Sequence, residues 1–231
     1  MSDTFPYRTP VRLSLSRMED SPTMKMLILG ATGSTGRHLV DLALRSGDWG
    51  TALVRNPEAQ GEVADRFTVV MGDATSQRDV AVAALGQDVI ISALGQGTSL
   101  NPDGLFDRAS AAVIGAAQQQ GVSRLVWMSS FGVGDTFELA TVTQRTMYRT
   151  LLRRVYANKK IADDRIRSSG LDWMLVFPTG LTNGRAKGTY RVGDRLQMRG
   201  APRISRADVA TFMLQAARGG EWSRRNAVIT D

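Results

Sequence analysis

The 231-residue chain has no cysteine and a single histidine, His38. Without cysteine there are no disulfides, no thiolate metal ligands and no cysteine nucleophile. One histidine builds neither a histidine-based metal centre nor a Ser-His-Asp triad, so no metal is expected. Long hydrophobic runs are missing too. Nothing approaches the ~18 consecutive apolar residues of a membrane helix. The first 23 residues lack the unbroken apolar core of a secretory signal, and Asp3, Glu19 and Asp20 disfavour an organelle-targeting peptide. These absences predict a cytoplasmic protein that does not enter membranes. Aromatic residues are only 6% of the chain, with no run suited to base stacking and no DNA-reading motif, so nucleic acid is not an expected partner.

What is present suffices for one substantial core: 42% of the residues are hydrophobic. Met1 to Thr23 is rich in Ser, Thr, Pro and Arg and carries no sustained period. It reads as a disordered extension or an over-long start, and Met24 opens the regular pattern. From there, apolar runs at Met26–Leu29, Thr51–Val54, Phe67–Met71, Val89–Leu94, Leu125–Met128 and Trp173–Phe177 predict strands. Helical patterns at Thr35–Ser46, Gln77–Leu85, Phe106–Gln119 and Gln144–Ser168 lie between them. Phe106, Ala109, Val113 and Ala117 form one apolar stripe. Strands alternating with helices predict parallel strands joined by crossovers. The expected fold is therefore a single α/β domain over residues 24–231, a doubly wound, mostly parallel sheet with helices on both faces.

Between the first strand and the first helix stands Gly30-Ala31-Thr32-Gly33-Ser34-Thr35-Gly36, followed by Arg37 and His38. Gly30 lets the chain turn sharply, Gly33 leaves no Cβ between the backbone and a pyrophosphate, and Gly36 lets helix and strand pack closely. The helix N–H groups are then aimed at phosphates, so a dinucleotide site is predicted here. His38 reads as a partly exposed helix residue. A free ribose 2′-hydroxyl is usually met by Asp or Glu about 20 residues past such a turn. Here the second strand ends in Arg55-Asn56-Pro57 instead. Arg55 can bind a 2′-phosphate in a charge-assisted, two-pronged way, with Arg37 approaching from the other side, so NADP(H) is expected over NAD(H).

Other strand ends converge on the same cleft. Asp73 can accept from an adenine amino group, or cap its own turn, while Ala74 contributes backbone. Ala93, Leu94 and Gly95 close the fourth strand with small residues where ribose and pyrophosphate pass. Ser129 and Ser130 close the fifth, and Pro178, Thr179 and Gly180 follow the sixth.

The glycine loop, Gly72-Asp73, Ser129-Ser130, Phe177-Pro178-Thr179-Gly180-Leu181 and Tyr156-Ala157-Asn158-Lys159-Lys160-Ile161-Ala162-Asp163-Asp164 together resemble the atypical short-chain dehydrogenase/reductases. Within these, the likeness is to the NAD(P)H-binding, NmrA-like group and to biliverdin reductase B-type flavin reductases. Ser169-Gly170-Leu171-Asp172-Trp173 is similar to that group. So is Arg203-Ile204-Ser205-Arg206-Ala207-Asp208-Val209-Ala210, which in such proteins begins a late helix. The likeness runs from about Met24 to the C-terminus. It implies catalytic candidates. The wider superfamily uses a tyrosine for proton transfer, a lysine that lowers the tyrosine pKa and holds the ribose, and a serine that orients the carbonyl. These roles fall on Tyr156, Ser130 and a lysine. Tyr156 and Lys160 have the superfamily's literal spacing, whereas the register counted from Ser169-Gly170-Leu171 selects Lys159. Either lysine lies within one turn of Tyr156.

By the same resemblance, the backbone of Pro178–Gly180 lies against the nicotinamide and bonds its carboxamide, and Phe131, Phe137 and Leu181 wall the acceptor. Residues 144–206 carry 15 Lys or Arg against four Asp or Glu within an overall net charge of +7. Such an excess serves as a solvated face or attracts an anionic substrate. The expected activity is an NADPH-dependent reductase transferring a hydride to a flavin or similar conjugated small molecule, as a monomer or weak homodimer. The alternatives are a non-catalytic NADP(H)-binding redox sensor and a carbonyl reductase or epimerase using Tyr156.

Overall fold

The computed structural model describes residues 11–12 (backbone only), 22–57, 66–97, 101 and 103–231. The chain winds through β1 (Val11–Arg12), β2 (Lys25–Leu29), α1 (Ser34–Arg45), β3 (Trp49–Val54), β4 (Phe67–Met71), α2 (Gln77–Ala84) and β5 (Val89–Ser92). It continues through α3 (Leu105–Gln120), β6 (Arg124–Met128), α4 (Val142–Thr150), α5 (Arg153–Arg167), β7 (Asp172–Pro178), β8 (Gly180–Thr182), β9 (Thr189–Gly193), β10 (Arg203–Ser205), α6 (Arg206–Arg218) and β11 (Arg225–Thr230). Among the described residues, nine strands form one sheet in the order β1-β9-β11-β7-β6-β5-β2-β3-β4. From β4 to β11 the neighbours are parallel; β9 runs antiparallel to β11, and β1 antiparallel to β9. The single α/β domain with a mostly parallel, doubly wound sheet is the fold expected from the alternation of patterns.

Strand periodicity explains the two layers. Successive side chains of β2 point to opposite faces. Met26 and Ile28 join a core with Leu39 and Val40 of α1 and with Val209 and Met213 of α6. Leu27 and Leu29 join the other core with Val80 of α2, Phe106 and Val113 of α3, and Ile166 of α5. The predicted stripe Phe106, Ala109, Val113 and Ala117 is buried throughout.

Two features depart from the sequence reading. The single helical pattern over 144–168 is two helices. Thr141 and Gln144 form a reciprocal cap that starts α4, and the chain breaks at Leu151–Leu152 before α5. In one helix, residues eight apart are separated by about 12 Å of rise. The break instead brings the rings of Tyr148 and Tyr156 to a centroid distance of 4.8 Å. The second departure is the set β8 to β11, which the alternation did not predict. Residues 1–23 lie largely outside the described residues. The described pair Val11–Arg12 adds to the edge of β9, opposite Tyr190 and Thr189.

Candidate active site

β2 sits between β3 and β5, with Leu29 opposite Leu53 on one side and Ser92 on the other. The chain crosses first to β3 and β4 and then back to β5, so the loops after β2 and β5 face each other at the topological switch point. That crevice is where open α/β sheets hold ligands.

The glycine loop fills one wall. Gly30 has φ +78°, and a Cβ there would stand 2.8 Å from the Ala93 carbonyl oxygen. Loop and β5 terminus therefore touch only because the side chain is missing. At Gly36 a Cβ would stand 2.0 Å from the Gly30 carbonyl oxygen, which keeps α1 tight against the turn. Gly33 differs: its N–H closes the turn on the Gly30 carbonyl at 3.0 Å, and a Cβ would meet only that oxygen, at 3.2 Å. Its outer side is open. Gly33 is also the N-cap of α1, with no side-chain cap and no acidic residue in the first turn. An uncapped helix start behind an open glycine is an anion cradle, so these residues fit a dinucleotide pyrophosphate. Ser34 is exposed beside it and Thr35 is buried; Thr32 accepts from Arg37 Nε at 3.0 Å through its carbonyl.

Arg55 is exposed at the end of β3. Asp73, after β4, accepts the Thr75 N–H at 2.8 Å. That bond, and more weakly Arg55 and Arg108, hold its carboxyl below the usual carboxylate range. Asp73 therefore caps its own turn, with Ala74 half-buried inside that turn. Ala93 is buried, Leu94 half-buried and Gly95 exposed along the β5 exit.

The other wall is built from β6, α5 and β7. Ser130 is half-buried, whereas Ser129 is buried with its hydroxyl donating to Asp163 Oδ2 at 2.6 Å. Lys159 is buried, its Nζ 4.4 Å from the Phe106 ring centroid, and Lys160 is exposed in an ion pair with Asp164. Of the two lysines left open by spacing, the tertiary structure turns Lys159 inward. Burial draws the Lys159 ammonium down to about 8, with Asp163 opposing. Burial pushes the Asp163 carboxyl up to about 6. Asp163 is the group that sequence reasoning passed over. It stood in the family-like string without a role, and the signal that could have found it was its place four residues after Lys159, on the same helix face. Asn158 also has a structural task. Its Oδ1 accepts the Phe106 N–H at 2.9 Å, capping α3 where Gly104 supplies no side chain.

Tyr156 is half-buried and donates its hydroxyl to the Phe131 carbonyl at 3.0 Å. Burial first, then Tyr148, raise its pKa; no lysine acts to lower it. The β7 exit offers less than expected. The Thr179 N–H is given to Ile229 and the Gly180 N–H to Pro202, while the Pro178 carbonyl accepts from Phe131. The Thr179 hydroxyl bonds Thr230 at 3.0 Å. The anticipated carboxamide contact therefore has no free N–H at Thr179 or Gly180, because both complete strand pairings.

Next to Tyr156 opens a cleft of about 510 Å³, lined by Gly132–Asp135, Phe137, Glu138, Tyr156, Ala157, Lys160 and Arg195. Phe137 lies under the guanidinium groups of Arg145 and Arg149. Phe131 is buried in the core and Leu181 half-buried on β8, so of the three expected wall residues only Phe137 lines this cleft. Among the described residues no helix is long and apolar enough to cross a membrane, and no cluster of His, Cys, Asp or Glu is arranged to hold a metal ion.

Known proteins resemble this chain in sequence or in fold. YhfK of Bacillus subtilis, described as an uncharacterized sugar epimerase, is 33% identical over 197 residues, covering 83% of this chain and 86% of that protein. ChuY of Escherichia coli O157:H7, an anaerobilin reductase, superposes with a TM-score of 0.73 at 25% identity over 89% of this chain and 96% of its own. A short-chain dehydrogenase/reductase of Veillonella parvula, solved with NADP, shares the fold at a TM-score of 0.74 and 18% identity, over 91% and 95% of the two chains. The sequence profile described as NAD(P)H-binding matches residues 30–219, glycine loop and α6 included. The chain belongs to this NAD(P)H-binding family of reductase- and epimerase-like proteins, with the fold of the atypical short-chain dehydrogenase/reductases.

Proposed function

We propose that the protein is an NADPH-dependent reductase that delivers a hydride to a flavin or a similar conjugated, anionic small molecule. The observation that carries this reading is the condition of Tyr156. Carbonyl reduction and epimerisation need a proton donor whose pKa lies near the working pH. The Tyr156 hydroxyl is instead donated to the Phe131 carbonyl, and burial holds its proton more tightly. Reduction of a conjugated acceptor needs mainly alignment, with protons drawn from water.

The chain's own groups divide the work. The N–H groups at the start of α1 bind the pyrophosphate, and Gly33 lets it approach. Arg55, with Arg37 nearby, takes the 2′-phosphate. Lys159 donates to the ribose. When bound, the nicotinamide supplies the hydride. The cleft beside Tyr156 takes the flat acceptor against Phe137, with Arg195 at the rim for its anionic groups. The reductase activity printed for ChuY supports this reading; the epimerase name of YhfK supports the competing one.

The test is a mixture of protein, NADPH and FMN, followed by nicotinamide absorbance. Steady turnover is expected. Arg55→Glu is expected to abolish it with NADPH while sparing it with NADH. Tyr156→Phe is expected to keep flavin turnover within about tenfold, whereas loss of a general acid costs about a hundredfold or more. Tight NADP(H) binding without turnover of flavins, quinones or carbonyls would overturn the reductase and leave a redox-sensing regulator.

A further inference from the structure

We propose that Asp163 is a positioning residue for Lys159: anchored by Ser129 at the end of β6, its carboxylate keeps the buried ammonium charged and set to bind the dinucleotide. The proposal rests on the reading that Lys159 contacts bound NADP(H).

The geometry sets two buried ionisable side chains behind the cofactor cleft, neighbours on one helix face without a direct ion-pair contact. Lys159 and Asp163 are one turn apart on α5 and both face inward, with 6% and 1% of their surface exposed. The ammonium lies against the face of Phe106, which Asn158 fixes by capping α3. It has no hydrogen-bond acceptor among the described residues, so its donors remain for a ligand. On the carboxylate, Oδ2 is held by the Ser129 hydroxyl at 2.6 Å, and Oδ1 is buried with no hydrogen-bond partner.

A purely structural role explains this poorly. A buried carboxylate with one oxygen unsatisfied is expensive, and an amide would accept from Ser129 at lower cost. What the carboxylate adds over an amide is charge, and the charge it serves is one turn away.

The other ionisable groups around the pair are committed elsewhere. On α5, Arg167 pairs with Asp164, which also holds Lys160. From α3, Asp107 pairs with Arg165. From β7, Asp172 pairs with Arg124. From α4, Tyr148 stacks on Tyr156. Asp163 opposes the fall that burial imposes on Lys159, which stands at about 8. Asp163 itself stands at about 6, lowered by Ser129, Lys159 and Arg167 and raised by Asp164. Both groups are charged between these limits.

The experiment measures NADP⁺ affinity against pH by calorimetry, with no acceptor present, so flavin turnover plays no part. Titration of the ligand's own phosphate is common to all variants and cancels in their ratios. Lys159→Met is expected to weaken binding about tenfold or more and to remove the alkaline limb, since a hydrogen bond from a charged group is lost. Asp163→Asn is expected to weaken binding about tenfold near neutrality and to move the alkaline limb to lower pH, because the charge supporting the ammonium is gone. Asp164→Asn removes an equal charge from the outer face of the same helix and is expected to leave affinity unchanged. Should Asp163→Asn fail to fold, Ser129→Ala carries the test. It frees Oδ2, and the acid limb is expected to move to higher pH.

Unchanged affinity and an unchanged alkaline limb in Asp163→Asn, with Lys159→Met impaired, overturn the positioning role and leave the lysine contact standing. Unchanged affinity in Lys159→Met overturns that contact and the proposal with it.

Discussion

Gly33 and Gly36 are three residues apart and have opposite physical duties. A Cβ on Gly36 would stand 2.0 Å from backbone that cannot move aside, whereas one on Gly33 would meet a single oxygen at 3.2 Å and otherwise point outward. Gly36→Ala is therefore expected to cost about 1–3 kcal/mol or more by overpacking, read as a lower urea midpoint at unchanged m-value. Gly33→Ala is expected to stay within about 1 kcal/mol of the parent in the same titration. It should nevertheless lose the thermal stabilisation that NADP⁺ gives the parent, because the methyl group occupies the phosphate's approach. Equal effects of the two substitutions in both assays would contradict the division. The glycine roles were legible in the sequence because spacing and local order dictate them. The choice of Lys159 over Lys160 was not. Both lie within a turn of Tyr156, and only packing against Phe106 turns one inward while Asp164 holds the other outside.

At the scale of elements, the start of α1 is a helix terminus left without a cap. Its N-cap, Gly33, offers no side-chain cap, and its first turn holds no acidic residue to complement the dipole. Ser34→Asp is expected to stabilise the ligand-free protein by about 0.3–1 kcal/mol through the macrodipole. The same substitution is expected to weaken NADP⁺ binding, by placing a negative charge where the pyrophosphate goes. Paired thermal melts with and without NADP⁺ check this; a gain in both would show that the terminus holds no anion. α3 starts at a glycine and takes its cap from α5 through Asn158. Asn158→Ala is expected to cost about 1 kcal/mol, the usual value of a lost helix cap, read by denaturant unfolding. No periodicity in residues 105–120 announces that cap. The capping acceptor, Asn158 Oδ1, is 52 residues away in sequence. The split of α4 from α5 was hidden for a related reason. Helix propensity runs through Leu151 and Leu152, and only the folded chain brings the rings of Tyr148 and Tyr156 together across the break.

For the whole molecule, the buried pair trades stability for function. Asp163 is raised from its ordinary value to about 6. Its stabilising contribution is therefore complete below the unfolded pKa and is lost as pH rises through about 6. Lys159 is lowered to about 8, so its contribution is complete above the unfolded value and lost as pH falls through about 8. Between these limits both groups are charged in the fold and both carry a desolvation cost. The double variant Lys159→Met/Asp163→Asn is expected to equal or exceed the parent in stability near neutrality, because two buried charges lose their desolvation cost together. It should also show a flatter stability–pH curve below about 6 and above about 8, where the fold shifts the titration of the two groups, and weaker NADP⁺ binding. Urea titrations across those two ranges and near neutrality measure the first two quantities. A double variant less stable than either single one would contradict this account of the pair.

The sequence by itself determined the family's frame. Continuous apolar runs alternating with period-3.6 stripes predict a parallel sheet covered on both faces, and three glycines between the first strand and helix predict a tight turn open to a phosphate. These features are local, written within a few residues of one another. Tertiary structure decided what distance along the chain conceals. Val228 in β11 stands between Phe177 of β7 and Gly193 of β9, partners far earlier in the chain. The donors of Thr179 and Gly180 are consumed by strands that follow them, and Ser129 meets Asp163 across 34 residues. Burial and unmatched oxygens are properties of the assembled core, and they single out Asp163, an aspartate with no assigned role on a basic helix, as the charge behind Lys159.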